Sequence, residues 1–246
     1  LGDQSHIFFY EQGGSAAVAG IHPRTVPNRP DGTVDLDAVA AAVRADNDHF
    51  PRSRLLVLEN THNRCHGSPL DAAFMTAAGN LAKKFGLTLH VDGARIFNAA
   101  VALGTTPDVL AAPADSASFC LSKGLSAPVG SMVCGSRAFV AEARRARKLL
   151  GGGMRQAGVL AAAGLVALNR MVDRLQEDHK NAKRLAEGLA GIDGLAVDIE
   201  KVRTNLVFIG TAETGMTAPA LVDRLKPLGA LCLASGPDRI RAVTHH

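Results

Sequence analysis

The chain has 246 residues, 47% of them hydrophobic and 20% charged, which is enough to bury a core and typical of a globular protein. Its longest nearly apolar run, Ala157–Leu168, is shorter than the ~20 residues that cross a bilayer, so we expect no membrane partner. The net charge of +4 suits nucleic acid or a small anionic ligand. With nine Phe, one Tyr and no Trp there is little to stack on bases, so we favour the small anion.

Short apolar runs alternate with helix-period segments, a pattern that predicts an α/β fold with a mainly parallel sheet. The predicted strands, in chain order, are Ile7–Tyr10, Leu55–Leu58, Leu87–Val91, Ser116–Leu121, Met132–Cys134 and Leu206–Ile209. Two helices are predicted between them, from the apolar positions of Leu36–Val43 and of Phe74–Phe85. Gly86 follows the second helix and is expected to cap it.

The second half of the chain predicts a change of domain. Apolar positions from Leu160 to Leu189 indicate one long helix, longer than a crossover between strands needs. We therefore interpret residues 1–158 as a large domain, residues 159–190 as a connecting helix and residues 191–246 as a small C-terminal domain.

The cysteines indicate the compartment. Cys65, Cys120, Cys134 and Cys232 are far apart and form no CxxC pair. A zinc site or a disulfide framework is therefore not expected, and a reducing compartment, the cytoplasm, is the default.

Two predicted strands run into charged residues. Asp92 and Arg95 follow one strand, and Lys123 follows the next, at the edge where parallel sheets bind ligands. An amine and a carboxylate at one edge match pyridoxal phosphate, whose aldehyde takes a lysine as a Schiff base and whose ring nitrogen needs an acidic partner. An ordinary Asp–Lys ion pair at the rim of a sheet has the same spacing, so the pattern alone leaves both open.

A third predicted strand leads into the polar run of residues 59–63. His62 in this run can take or give a proton near neutral pH. The alternative is a loop histidine beside the hydrogen-bonding side chains of Asn60 and Thr61.

Other patterns argue against rival functions. No GxGxxG follows a predicted strand, which disfavours a nicotinamide-dependent oxidoreductase. The three glycines at 151–153 lack the Lys-Ser/Thr of a phosphate loop and are typical of a flexible turn. Arg144 and Arg145 are typical of a solvated helix face.

Several segments resemble low-specificity threonine aldolases of the β-eliminating-lyase/threonine aldolase family, in the order that these enzymes have them, over Ser5 to His245. These segments are Tyr10–Gly14, Glu59–Asn63, Val91–Gly104, Leu121–Ser131, Arg147–Gln156 and Val243–His245. The resemblance implies a pyridoxal-phosphate-dependent, aspartate-aminotransferase-like (fold type I) enzyme: a three-layer α/β fold with a mainly parallel sheet and a small C-terminal α+β domain. It further implies retro-aldol cleavage of L-threonine or L-allo-threonine to glycine and acetaldehyde by a homodimer or homotetramer. The 59–63 run favours the aldolase over another fold-type-I branch such as a β-eliminating lyase.

The resemblance also implies cofactor-binding residues. Lys123 stands at the position of the Schiff-base lysine, and Asp92 at that of the acid facing the pyridine nitrogen. Arg95 matches an arginine near the ring oxygen and the substrate carboxylate. His6 matches a histidine that stacks on the cofactor ring, although it could instead be a polar residue flanking an edge strand.

Substrate contacts follow from the same resemblance. Arg241 matches an arginine that grips the substrate carboxylate, and His62 a histidine near the substrate hydroxyl that serves as the base, with His6 or a water as alternatives. The remaining matches are supporting charges: Glu11, Lys148 and Arg155. The alternatives are a surface charge for Arg241 and a solvated helix face for Lys148.

The chain also departs from the family pattern. The Ser-Gly-Thr-type turn that cups the cofactor phosphate should lie upstream of Leu1, so we expect that an N-terminal part is missing. Residues 65–68 lack the usual glycine pair. The alternative function is therefore a truncated, impaired or inactive relative that serves only assembly or nothing.

Overall fold

The computed structural model describes residues 1–246 and contains a four-stranded sheet in the order β1-β2-β3-β4. Its strands are β1 Leu55–Glu59, β2 Thr88–Asp92, β3 Ser116–Cys120 and β4 Ser131–Gly135. The first three are parallel, and β4 runs antiparallel to β3. Because Glu59 pairs with Asp92, and Asp92 with Ser118, the carboxyl ends of the parallel strands lie at one edge. The four strands confirm the predicted ones within a residue or two.

Ten helices surround or follow the strands. They are α1 His6–Phe9, α2 Gly14–Ala17, α3 Leu36–Ala42, α4 Ala72–Lys84, α5 Ile96–Leu103, α6 Pro107–Ala111, α7 Arg137–Leu149, α8 Gly158–Arg170, α9 Leu175–Ala190 and α10 Ala218–Leu225. The predicted α3 and α4 are confirmed. The Asp71 side chain caps α4 by accepting the Phe74 N–H, and Gly86, at φ +64°, lies just beyond its C-cap residue. The apolar faces of α3 to α6 pack on the sheet and form the main core. None of the helices is both long and apolar enough to cross a membrane.

A second, smaller sheet lies in the C-terminal part, in the order β5-β7-β6. Its strands, all paired antiparallel, are β5 Leu206–Gly210, β6 Leu233–Ala234 and β7 Arg239–Val243. The strand β5 was predicted, whereas β6 and β7 were not. Ala182 and Ala186 of α9 pack with Val207 and Ile240 in a separate buried cluster, so this sheet has its own core.

The predicted strand Ile7–Tyr10 is wrong. Residues 6–9 form the short helix α1, in which the N–H groups of Phe9 and Tyr10 donate to the carbonyls of Ser5 and His6. A short apolar run does not distinguish a strand from a helix, and no neighbouring strand is present to pair with this one.

The single long helix predicted for 159–190 is also wrong, because α8 and α9 are separate. The break falls at residues 171–174. Val172 and Asp173 there are poor helix formers. The Arg174 guanidinium pairs with the Asp178 carboxylate of α9 at 2.7 Å and so supports the start of the second helix. The boundaries of the two domains stay a prediction.

Candidate active site

Charged side chains gather at the carboxyl edge of the parallel strands. Glu59, Asp92 and Cys120 end β1, β2 and β3 side by side, and Arg95 stands at the start of α5. Burial lowers the pKa of Arg95, Arg241 lowers it further, and Cys120, Glu59 and Asp92 oppose the shift. All of these groups are therefore within electrostatic reach of the Arg95 guanidinium.

Asp92 and Lys123 lie at this edge without forming an ion pair. The Asp92 Oδ1 accepts the N–H of Ala94 at 3.3 Å, and no cation lies within 4.0 Å of the carboxylate. The Lys123 ammonium has neither a hydrogen bond nor an ion pair within the chain. The alternative of a simple Asp92–Lys123 rim pair is thus not what the structure contains.

Lys123 is carried by a turn that we call the lysine loop (residues 121–126). Its own carbonyl accepts the Ser126 N–H at 2.9 Å and the Nε2–H of His245 at 2.7 Å. Gly124 packs so closely that a Cβ there would lie 2.8 Å from Leu175 Cδ2 and 2.9 Å from Asn98 Oδ1. Backbone bonds and close packing therefore fix the loop while its lysine side chain is left unpaired.

The run after β1, which we call the β1 loop (residues 59–63), is instead held by its side chains. Glu59 is 4% exposed, and its Oε2 accepts the His6 N–H at 2.6 Å while its Oε1 accepts the Asn63 N–H at 2.7 Å. Burial raises the pKa of Glu59 to about 7 against the effect of these two bonds, and Asp92 adds to the rise. The buried Asn60 amide both donates to and accepts from the backbone of Leu70.

Glu59 is not among the site residues predicted from the sequence. Its signal was available, because Glu59 ends an apolar strand as Asp92 ends the next. What the sequence could not indicate is that the carboxylate turns inward to bond two backbone N–H groups.

A cavity of about 420 Å³ lies between the β1 loop, α1 and the small sheet. Its polar lining comprises His6, Tyr10, Asn63, Arg64, Ser235, Arg239 and Arg241. Arg241, on β7, donates from Nη1 to the Asn63 Oδ1 at 2.7 Å. Three guanidinium groups and no carboxylate line this space, so it favours an anionic ligand.

His6 and Glu11 lie together at the rim of this cavity. The His6 Nε2 is 2.9 Å from the Glu11 Oε1, and the imidazole lies tilted against the Tyr10 ring, with centroids 5.0 Å apart. About a third of the His6 side chain (36%) is exposed, so its flat ring is accessible to a ligand.

His62 is not brought to the sheet edge. It is 1% exposed, neither ring nitrogen has a hydrogen bond, and its Cβ lies against Gly32. Burial lowers the pKa of His62 to about 4, with Arg64 lowering it and Asp3 raising it. Its charged neighbours are thus Arg64 and Asp3, and its role as the base stays a prediction.

Two more candidates lie apart from the site. Lys148 is in the last turn of α7 and Arg155 in the segment after it, both exposed and without a hydrogen bond or ion pair. Their supporting roles stay predictions.

The chemistry of the gathered groups fits pyridoxal phosphate. A carboxylate without a cation partner (Asp92), a free amine (Lys123), a guanidinium (Arg95) and an accessible imidazole (His6) are the groups that its ring nitrogen, aldehyde, ring oxygen and ring face require. No group of three or more His, Cys, Asp or Glu side chains is arranged to hold a metal ion.

Comparisons with known proteins agree with this chemistry. The family model for β-eliminating lyases matches residues 1–213. The chain is 49% identical to a probable low-specificity L-threonine aldolase 2 of Arabidopsis thaliana, over all of this chain and 70% of that protein. It is 44% identical to the low specificity L-threonine aldolase of Escherichia coli K12, over all of this chain and 71% of that one.

Solved structures share the fold. A putative L-allo-threonine aldolase from Listeria monocytogenes superposes with a TM-score of 0.82 at 18% identity, over 99% of this chain and 68% of that one. A threonine aldolase from Leishmania major gives 0.77 at 17% identity, over 100% of this chain and 71% of that one. A pyridoxal-phosphate-dependent aminotransferase from Streptococcus suis gives 0.67 at 14% identity, over 89% of this chain and 58% of that one. The predicted fold class is thereby confirmed.

Proposed function

The chain belongs to the β-eliminating lyase family, and on that premise we propose that it is a threonine aldolase. It cleaves L-threonine and L-allo-threonine to glycine and acetaldehyde. The observation that carries this proposal is the placement of Asp92 and Lys123 at the ends of adjacent strands, each without an ion-pair partner. Identity of 44–49% to aldolases over the whole of this chain supports the same reaction.

Four residues are proposed to hold pyridoxal phosphate. Lys123 offers the amine, Asp92 a carboxylate that keeps a proton on the ring nitrogen, Arg95 a positive charge, and His6 a flat surface against the ring. When bound, the cofactor supplies a ring that withdraws electrons from the substrate Cα.

Arg241 is proposed to bind the substrate carboxylate. Its guanidinium is a planar fork suited to a planar carboxylate, and Asn63 holds one of its nitrogens in place. Arg95 lies within electrostatic reach of Arg241, so its positive charge favours binding of the second oxygen of the substrate carboxylate. Fixing the carboxylate limits rotation of the substrate about Cα, so the Cα–Cβ bond that is to be broken keeps one orientation in the site.

A base must take the proton of the β-hydroxyl, and we keep His62 as the proposed group, with His6 or a water as alternatives. His6 lines the cavity, whereas His62 is buried and does not line it, so a proton transfer to His62 would need an intervening water. We expect His62→Asn to lower turnover with the cofactor still bound. Unchanged turnover would assign the proton transfer to His6 or to water.

A homodimer or homotetramer is proposed as the working assembly. All five residues of β4 are exposed, and large apolar side chains are exposed in β4, in α7 and α8 and in the segment between these helices. These side chains are Met132, Val133, Leu149, Leu150, Met154, Val159, Leu165 and Val166. A patch of this kind marks an interface, and light scattering coupled to size exclusion measures the number of chains.

The proposed reaction is tested by supplying pyridoxal phosphate and L-threonine to the protein and measuring acetaldehyde and glycine in equal amounts. The visible absorbance of the cofactor reports binding separately. Absorbance without acetaldehyde would indicate an impaired relative, and no absorbance would overturn the cofactor assignment. L-Alanine, which has no β-hydroxyl, serves as the control substrate.

A further inference from the structure

Glu59 lies beside Asp92 and within electrostatic reach of Arg95, yet it is not among the binding groups proposed above. It ends β1, directly beside Asp92 of β2. A carboxylate buried next to another carboxylate is costly, and burial with the Asp92 charge raises the pKa of Glu59 to about 7. An acid at a position where its charged form is unfavourable indicates that the acid has a specific role there.

The first use is visible in its contact with α1. The Glu59 Oε2 accepts the backbone N–H of His6 at 2.6 Å, across 53 residues of sequence. This N–H lies at the start of α1, where no helical carbonyl is available to it. The bond therefore fixes the backbone from which the His6 ring projects into the cavity.

The second use runs through Asn63 to the small sheet. The Glu59 Oε1 accepts the Asn63 N–H at 2.7 Å, and the Asn63 Oδ1 accepts from Arg241 at 2.7 Å, across 178 residues. One carboxylate thus sets the backbone of the residue that orients the guanidinium.

The simpler explanation is that Glu59 only stabilises the β1 loop. Asn60 already stabilises this loop, because its amide makes two hydrogen bonds to the backbone of Leu70. The bonds of Glu59 go to His6, outside the loop, and to Asn63 within it, and both of these residues line the ligand cavity. Glu59 therefore does more than hold the loop together.

We infer that Glu59 is a positioning residue that holds His6 for the cofactor and, through Asn63, Arg241 for the substrate carboxylate. This inference rests on the proposed function. It predicts that a single change at Glu59 weakens both kinds of binding, because its two oxygens serve different ligands.

Glu59→Gln is the sharpest variant, since the amide has the same shape and only one oxygen to accept with. We expect the KM for L-threonine and the Kd for pyridoxal phosphate each to rise roughly ten-fold, with a smaller change in kcat. The Kd is measured from visible absorbance. The control is Asp115→Asn, because the exposed Asp115 carboxylate also accepts a backbone N–H, that of Leu89 at 2.8 Å, at the opposite end of the same sheet. The control should change neither constant more than about two-fold.

A double-mutant cycle tests the route through Asn63. If Glu59 acts on Arg241 by way of Asn63, the KM of Glu59→Gln combined with Asn63→Ala equals that of Asn63→Ala within about two-fold. The Kd for the cofactor should still show the Glu59 effect, because His6 is reached independently. Additive effects on KM would overturn the route.

Amide hydrogen exchange gives a readout that needs neither cofactor nor turnover. Both the His6 and the Asn63 N–H should be protected in the wild-type protein, and Glu59→Asp, which keeps the charge and is one methylene shorter, should release at least one of them. Fast exchange of both in the wild type overturns the inference even where Glu59→Gln fails to fold. A wild type that neither binds pyridoxal phosphate nor cleaves threonine removes the proposed function, whereas an active wild type matched by Glu59→Gln removes only the role of Glu59.

Discussion

The β1 loop and the lysine loop follow β1 and β3 of one sheet and differ in what satisfies their side chains. In the β1 loop, Glu59 and Asn60 have all their hydrogen-bonding oxygens occupied by backbone N–H groups. In the lysine loop the backbone is held, while the Lys123 ammonium is left without a partner. The contrast teaches that one loop is a scaffold and the other presents a reactive group, so changes in the two should have opposite signatures.

The largest effect is expected from Lys123→Ala. Removing the amine should abolish the visible absorbance of bound cofactor and lower threonine cleavage by at least roughly a thousand-fold. The melting temperature of the cofactor-free protein should be unchanged, because the side chain makes no contact that holds the fold. An unchanged spectrum would remove Lys123 from the site, and a large loss of stability would break the contrast between the loops.

Asn60→Ala should show the opposite pattern, in which the main effect is a loss of stability. Its amide makes two buried hydrogen bonds to the backbone of Leu70, and leaving those groups unpaired should cost roughly 4 kcal/mol of unfolding free energy. Urea unfolding of the cofactor-free protein measures this loss. Asp71→Asn, at an exposed helix cap just beyond Leu70, is a control that should lose about 1 kcal/mol or less.

His62→Phe should make the protein more resistant to acid. The pKa of His62 is lowered from its ordinary 6.5 to about 4, so between these values the unfolded chain binds a proton that the folded chain does not. Stability therefore falls as the pH drops from 6.5 towards 4, by about 3 kcal/mol for this one group.

Two other groups shape the same curve. His179, whose pKa is also lowered to about 4, adds a similar slope that His62→Phe leaves in place. Glu59 acts in the opposite sense, because its raised pKa of about 7 makes stability fall as the pH rises from 4.5 to 7. Urea unfolding at several pH values from 4 to 7 should therefore show the variant gaining on the wild type towards acid. Parallel curves for the two proteins would contradict the buried, unpaired state of His62.

Gly124→Ala should give the smallest effect and tests how tightly the lysine loop is packed. The added methyl would lie 2.8 Å from Leu175 Cδ2 and 2.9 Å from Asn98 Oδ1, so we expect a loss of about 1–2 kcal/mol by urea unfolding. Gly86→Ala, where nothing lies within 4 Å of the new methyl, controls for removing a glycine, although its φ of +64° adds strain of its own.

Sequence patterns predicted the parallel core well because its strands are short apolar runs between periodic helices. They failed where a segment is defined by distant partners. The run at Ile7–Tyr10 has the composition of a strand but finds no strand to pair with, and β7 alternates around two arginines that hide its pattern.

The site shows the same division. Asp92 and Lys123 were predictable because parallel strands bring their carboxyl ends together. The inward turn of the Glu59 carboxylate and the burial of His62 were not, because both depend on contacts with α1 and with the loop around Gly32 that no local pattern encodes.

The strand β7 has a mechanical consequence. Arg241 lies on it, and three to four residues later Thr244 bonds to the Asp178 carbonyl and His245 to the Lys123 carbonyl. A swing of the small sheet that withdrew Arg241 would therefore pull on the turn that bears the lysine. Any such movement would reach the turn through the five residues from 241 to 245.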